Sequence, residues 1–205
     1  MSQHSRDAAG QSATSFLGDA PPSPGAQRLF DDDRNGLGYV TNLSRLWAHD
    51  PAALDGMSDL LGHVARSASL TFRQRVILVT SCASALGDSY CSLVWGTKLA
   101  AEVDAEVAAG VIRGDDAPLD RSEQALAGWA RQLARDPNAT TSADVDSLRT
   151  AGLDDAQIFA ISLFVALRIA FSTVNDALGT RPDRQLGLDA PADVRDAVTF
   201  GRSPS

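Results

Sequence analysis

Two stretches of this chain are apolar or small on every side, and they restrict its fold more than any other feature. They are VILVTSCASAL (residues 76–86) and QIFAISLFVALRIAF (residues 157–171), the second interrupted only by Ser162 and Arg168. A helix that is hydrophobic all round has to be enclosed, either by other elements or by lipid. The longest apolar run, Ile158 to Phe171, is fourteen residues, whereas a membrane span needs ~20. The sequence therefore predicts two central helices of an all-α bundle, with no membrane segment.

The stretches around them carry helix start signals. Asp50-Pro51 places a capping carboxylate ahead of a proline suited to the first helical position, opening a helix through Leu54, Leu60, Leu61 and Val64. Thr71 with Gln74, Asp120 with Glu123 and Asp154 with Gln157 have capping-box spacing. The first of these predicts a helix from 72 to Leu86, stopped by Gly87. Asp88 can cap the next helix, over 89–109, antiparallel to the one before it about the Gly87-Asp88 turn. Gly152 separates a short helix (142–150) from a long one (155–178). RNGLGYV (34–40) reads as a turn, and no alternating run suggests a strand. Residues 1–25, rich in Ser, Gly, Ala, Gln and Pro, read as a flexible arm, one able to pack on a neighbouring subunit. Residues 26–200 form a single domain, and 201–205 a tail of the same kind as the arm.

Charge narrows the function. Lys plus Arg number 18 against 26 Asp plus Glu, a net charge of −8 with no compensating basic run. Such a surface repels phosphate backbones and anionic headgroups, so neither nucleic acid nor membrane is an expected partner. The N-terminus lacks the apolar core of a secretory signal, which makes the cytoplasm the expected location. Two cysteines, Cys82 and Cys91, make neither a disulfide framework nor a four-ligand zinc site, and no metal or cofactor is expected.

Cys91 is the leading candidate for chemistry, its rival role being that of a buried small hydrophobe. With Asp88 as cap it occupies the third helical position, where free N–H groups and the positive end of the dipole favour a thiolate. The carboxylate of Asp88 opposes them, leaving the sign of the net shift open. Lys98 lies almost two turns on, with a stem able to bring its ammonium toward the sulfur, although Glu102 at i+4 competes for it. Cys82 lies in the apolar helix and reads as core packing. His4, His49 and His63 share no local motif with a nucleophile; His49 reads as a loop residue and His63 as a partly buried helix residue. Arg168, inside a buried helix, needs acceptors for five donors: a carboxylate, carbonyls or an anionic ligand, of which a structural ion pair is the expected one.

The run LTFRQRVILVTSCASALGDSYCSLVWGTKLAAEVDAEVAAGV (70–111) resembles the core segment of the carboxymuconolactone decarboxylase/alkylhydroperoxidase D superfamily. That segment has a Leu-Ser/Thr-x-Arg opening, a small-residue helix, a turn, and C-x-x-C-x-x-x-H at the head of a second helix. Residues 119–179 are similar to the helices that follow in its peroxidase-related branch, so the likeness covers about 27–180. It implies the helical alkylhydroperoxidase fold, a trimer-based or hexameric homo-oligomer, and antioxidant, thiol-dependent chemistry on a small molecule. In the same alignment Cys91 takes the second cysteine's place, Asp88 the first's, Trp95 the histidine's and Val76 that of an upstream glutamate. A dithiol cycle needs a resolving thiol. Cys82, six residues after Val76, points about 240° away round the helix, while Thr80 faces the same side as Val76. The implied pocket is lined by Val76, Thr80, Asp88, Tyr90, Cys91, Trp95 and Lys98. Its surviving chemistry is a lone thiol reduced by an outside partner. The alternatives are acid–base work by Asp88, Lys98 or Tyr90 on a hydrophobic substrate, and a binding or assembly protein without catalysis.

Overall fold

Each capping signal read from the sequence sits at a helix start. Thr71 accepts from the Gln74 N–H at 3.1 Å while Gln74 reaches back to the Thr71 N–H at 3.0 Å. The same reciprocal bonds join Asp120 to Glu123 and Asp154 to Gln157, and Asp50 caps the helix opened by Pro51. A computed structural model describes residues 14–205, and among them every regular element is helical. In chain order the α-helices are α1 (Pro24–Leu37), α2 (Asn42–Trp47), α3 (Pro51–Ser67), α4 (Phe72–Leu86), α5 (Ser89–Glu102), α6 (Ala105–Arg113), α7 (Arg121–Arg135), α8 (Ser142–Thr150), α9 (Asp155–Ala177), α10 (Arg184–Asp189) and α11 (Ala192–Ala197), with one 3-10 turn, Pro137–Ala139, between α7 and α8.

Two boundaries differ from those expected. The helix predicted over 89–109 is two helices, because Asp104 turns its side chain onto the Val107 N–H at 2.7 Å and caps a new start. The turn predicted over 34–40 is mostly the end of α1, which closes on Gly38 with φ 82°.

The all-face apolar helix α4 is central, packed against α5, α6, α7 and α9. Leu78, Val79 and Cys82 join Leu126, Leu148, Ile161 and Val165 in the largest apolar cluster. Val76 and Ile77 face the other way, toward Leu99, Val111 and Val194. A third cluster stacks Trp47 on Phe171, ring centroids 5.3 Å apart, beside Leu46, Ala83 and Cys91. Trp95 touches all three clusters.

The other apolar helix, α9, is long and apolar enough to cross a membrane by length and composition. It is instead a bundle helix with one covered face. Ile158, Ile161, Phe164, Val165, Arg168 and Phe171 are buried, whereas Phe159 is 71% exposed and Ala166, Ala170 and Val174 lie open beside it. The sequence reading enclosed α9 on all sides; α3, α4, α7 and α8 cover only one.

Residues 14–16 and the C-terminal tail are held by backbone bonds rather than by apolar burial. The Phe16 N–H donates to the Leu178 carbonyl at 2.8 Å, and the Arg181 N–H to that of Thr14 at 3.1 Å. The tail runs over the start of α5. There the Ser89 hydroxyl donates to the Arg202 carbonyl at 2.8 Å and receives the Arg202 N–H at 3.0 Å. Farther on, the Ser205 N–H reaches Pro182 O and the Arg184 N–H reaches Ser205 O. His4 lies outside the described residues; His49 bonds Gly18 O through its ring, and His63 is exposed on α3.

Candidate functional site

The turn between α4 and α5 places the site. Gly87 adopts φ 77°, a left-handed conformation that ends α4. Asp88 follows as N-cap, with Oδ1 accepting the Cys91 N–H at 2.9 Å. The Asp88 side chain is fully enclosed, and its Oδ2 has no hydrogen-bond partner. Cys91 is thereby fixed at the third position of α5, 3% exposed.

From the opposite side α9 supplies Arg168. Its Nη2 donates to Cys91 Sγ at 3.3 Å, and the guanidinium lies 4.8 Å from the Phe171 ring centroid and 5.3 Å from that of Trp95. The ion pair expected for Arg168 is absent among the described residues. The contrast is Arg131, the other buried arginine among the described residues, which pairs with Asp116 and donates to Val111 O at 2.7 Å.

The question left open by sequence, the direction of the Cys91 shift, has an answer. Burial first, and then the negative charge of Asp88, push the thiol well above its usual range, with Arg168 pulling the other way. Helix-dipole stabilisation does not prevail, because the thiol it would serve is enclosed, away from water that would solvate a thiolate. Ser172 on α9 also favours the thiolate. Cys82 is pushed up to about 12, chiefly by burial.

Lys98 does not pair with Glu102; its Nζ lies 4.4 Å from the Trp95 ring centroid. Burial and then the charge of Arg168 lower its basicity, while Cys91 raises it. Asp88, Cys91, Trp95 and Lys98 thus come together as a group. Tyr90 does not join them: its hydroxyl donates to Asp183 Oδ2 at 2.7 Å, on the side facing α2 and the chain end. Burial and Asp183 raise the Tyr90 phenol. Val76 packs in the second cluster and meets the group through Trp95. Thr80 is wholly buried with Oγ1 unpartnered. Arg168 and Ser172 are the residues that sequence reasoning did not assign to the site. An arginine inside an apolar run was the one available signal.

No family model matches the chain, and neither does any curated protein. Among solved structures, it is similar to a peroxidase-related protein from Silicibacter sp. TM1040. The TM-score is 0.75 at 19% identity, over 85% of this chain and 95% of that one. It is also similar to a peroxidase-related protein from Ralstonia eutropha JMP134 described as an alkylhydroperoxidase AhpD core. Here the TM-score is 0.68 at 19% identity, over 95% of this chain and all of the other. The chain therefore has the all-helical fold of alkylhydroperoxidase-like, peroxidase-related proteins.

Proposed function

We propose that this chain is a cytoplasmic, peroxidase-related thiol protein in which Cys91 reduces hydroperoxides and is itself restored by external thiols. The observation that carries the reading is the buried Arg168 guanidinium, which donates to the sulfur of Cys91 and not to a carboxylate. A cation set against sulfur in an enclosed site lowers the cost of forming thiolate as the reaction proceeds. Asp88 Oδ2, buried and without another partner, is the acceptor for the thiol proton.

The sulfur attacks the terminal oxygen of the hydroperoxide. An S–O bond forms as the O–O bond breaks, and the departing alkoxide takes back the proton held by Asp88. The peroxide gains two electrons and becomes an alcohol, while Cys91 becomes a sulfenic acid. One external thiol condenses with it, releasing water. A second opens the mixed disulfide and regenerates Cys91. Cys82 is no resolving thiol, since it packs in the large cluster with Leu78 and Leu126. The exposed apolar stripe of α9, from Phe159 to Val174, supports assembly of this chain into a homo-oligomer, trimer-based or hexameric.

The test is peroxide consumption with and without a monothiol, with trapping of sulfenic acid by dimedone. The expected result is about one equivalent consumed without thiol, turnover with it, and the adduct on Cys91 alone. Turnover that survives Cys91→Ser, or no adduct at Cys91, would refute the reading. A second reading, a non-catalytic protein that binds a small hydrophobic molecule, is favoured by the 3% exposure of Cys91. It predicts neither consumption nor adduct.

A further inference from the structure

Arg168 departs from the usual rule that buried cations find carboxylates, and the exposed Lys98 near it has none either. The other buried arginine, Arg131, obeys it with Asp116. Arg168, equally buried, spends one donor on Cys91, and its Nε is enclosed without an acceptor. Lys98, whose surface reaches solvent, forms no ion pair among the described residues, although Glu102 is four residues away on the same helix. Both cations lie against the ring of Trp95. Lys98 feels the charge of Arg168 and that of Cys91, so all three share one electrostatic neighbourhood.

The carboxylate facing this neighbourhood is Asp88, across the sulfur, with one oxygen already committed to the Cys91 N–H. Two cations against one carboxylate leave a positive site on a chain whose net charge is −8. Acidic residues are abundant enough to have balanced it. Half-buried Trp95 and solvent-reaching Lys98 form its outer side, so a molecule approaching the sulfur passes them first.

We infer that the Cys91 site selects electrophiles that carry a negative charge, a carboxylate being the group received by Lys98 and Arg168. Guanidinium and ammonium donors bind a carboxylate through charge-assisted hydrogen bonds. With Arg168 also bonded to the sulfur, an anchored carboxylate holds the rest of its molecule beside Cys91. Trp95 supplies an apolar wall for the intervening carbons. The substrate class is then a carboxylate-bearing hydroperoxide rather than a neutral one. This rests on Cys91 being the reactive thiol.

Two alkylating reagents that differ in charge separate the questions. Iodoacetate and iodoacetamide both form an S–C bond with loss of iodide, the thiol proton passing to buffer, but only the first is an anion. Their rates at Cys91 are measured by mass spectrometry on the full chain at low ionic strength, with the urea-unfolded chain as reference. The iodoacetate-to-iodoacetamide ratio is expected to be about fivefold higher in the folded protein, the upper end of what a solvent-exposed charge pair contributes. It should fall toward the unfolded ratio in Lys98→Met, which keeps an apolar stem at this solvent-reaching position, and in high salt. A folded ratio equal to the unfolded one overturns the inference while leaving Cys91 reactive. A preference that Lys98→Met leaves untouched overturns the two-cation assignment. Failure of both reagents to modify folded Cys91 overturns the proposed function, and the inference with it.

Discussion

Asp176 on α9 is a carboxyl whose ionisation works against the fold, and replacing it with asparagine should stabilise the protein above neutral pH. Burial, followed by the negative charge of Asp88, raises it from the usual 3.8 to about 7, against the pull of Arg202 at 3.8 Å. Three pH decades at about 1.36 kcal/mol each make roughly 4 kcal/mol. The side chain is 34% exposed, and water screens part of that energy, which brings the expectation to ~2 kcal/mol. The folded state holds the proton more tightly than the unfolded chain. Stability contributed by the neutral carboxyl is therefore full below about pH 4 and is lost as the pH rises to about 7. Asparagine matches the neutral form and has no proton to lose. In urea unfolding, Asp176→Asn should exceed wild type by about 1 kcal/mol at pH 4.5 and by about 2 kcal/mol at pH 8. Other titrating groups cancel in the difference. A variant less stable than wild type at pH 8 would show that the attraction of Arg202 outweighs burial, and the argument would fail.

Three further outcomes follow from single contacts. Trp47→Phe keeps the stack on Phe171 but removes the 2.8 Å bond from Nε1 to Asn175 Oδ1. With Asn175 buried, the loss should be about 2 kcal/mol by equilibrium unfolding; a neutral variant would mean that Asn175 finds another donor. Gly201→Ala meets a φ of 69° and puts a Cβ 2.7 Å from Gly87 O and 2.8 Å from Ser89 Cβ. The tail should detach from α5 and be trimmed faster by carboxypeptidase, and unchanged trimming would argue against the close approach. Phe159→Asp places a charge on the open stripe of α9. Light scattering should then report a smaller particle than wild type, and an unaltered mass would remove that stripe from the assembly.

The legible part of this structure is the part decided within a few residues. Capping boxes at Thr71, Asp120 and Asp154 act over three positions, so their helices could be placed from sequence. The start of α6 is equally local, but Asp104 interrupts an apolar pattern that continues through Val107 and Val111, and periodicity concealed it. The Ser23-Pro24 start of α1 was hidden in a segment whose composition resembles a linker. Its cap is nonetheless present, Ser23 accepting from the Ala26 N–H at 3.1 Å. The surroundings of Cys91 were legible along α5 alone, as Asp88, Trp95 and Lys98. Its partner Arg168 lies 77 residues away, and only the packing of α5 and α9 on the same helix, α4, decides that meeting. The Tyr90–Asp183 bond, which removes Tyr90 from the group, spans 93 residues and was hidden for the same reason.

Trp95 packs simultaneously into all three apolar clusters. A molecule reaching the sulfur must displace a ring whose movement loosens every part of the interior at once. Access to Cys91 is then not a fluctuation of a loop but an opening about Trp95 that disturbs the packing of each cluster it touches. Substitutions that tighten any cluster, however far from α5, slow chemistry at the thiol by making the open state scarcer. Robustness and turnover are antagonists in this architecture, coupled through a single indole.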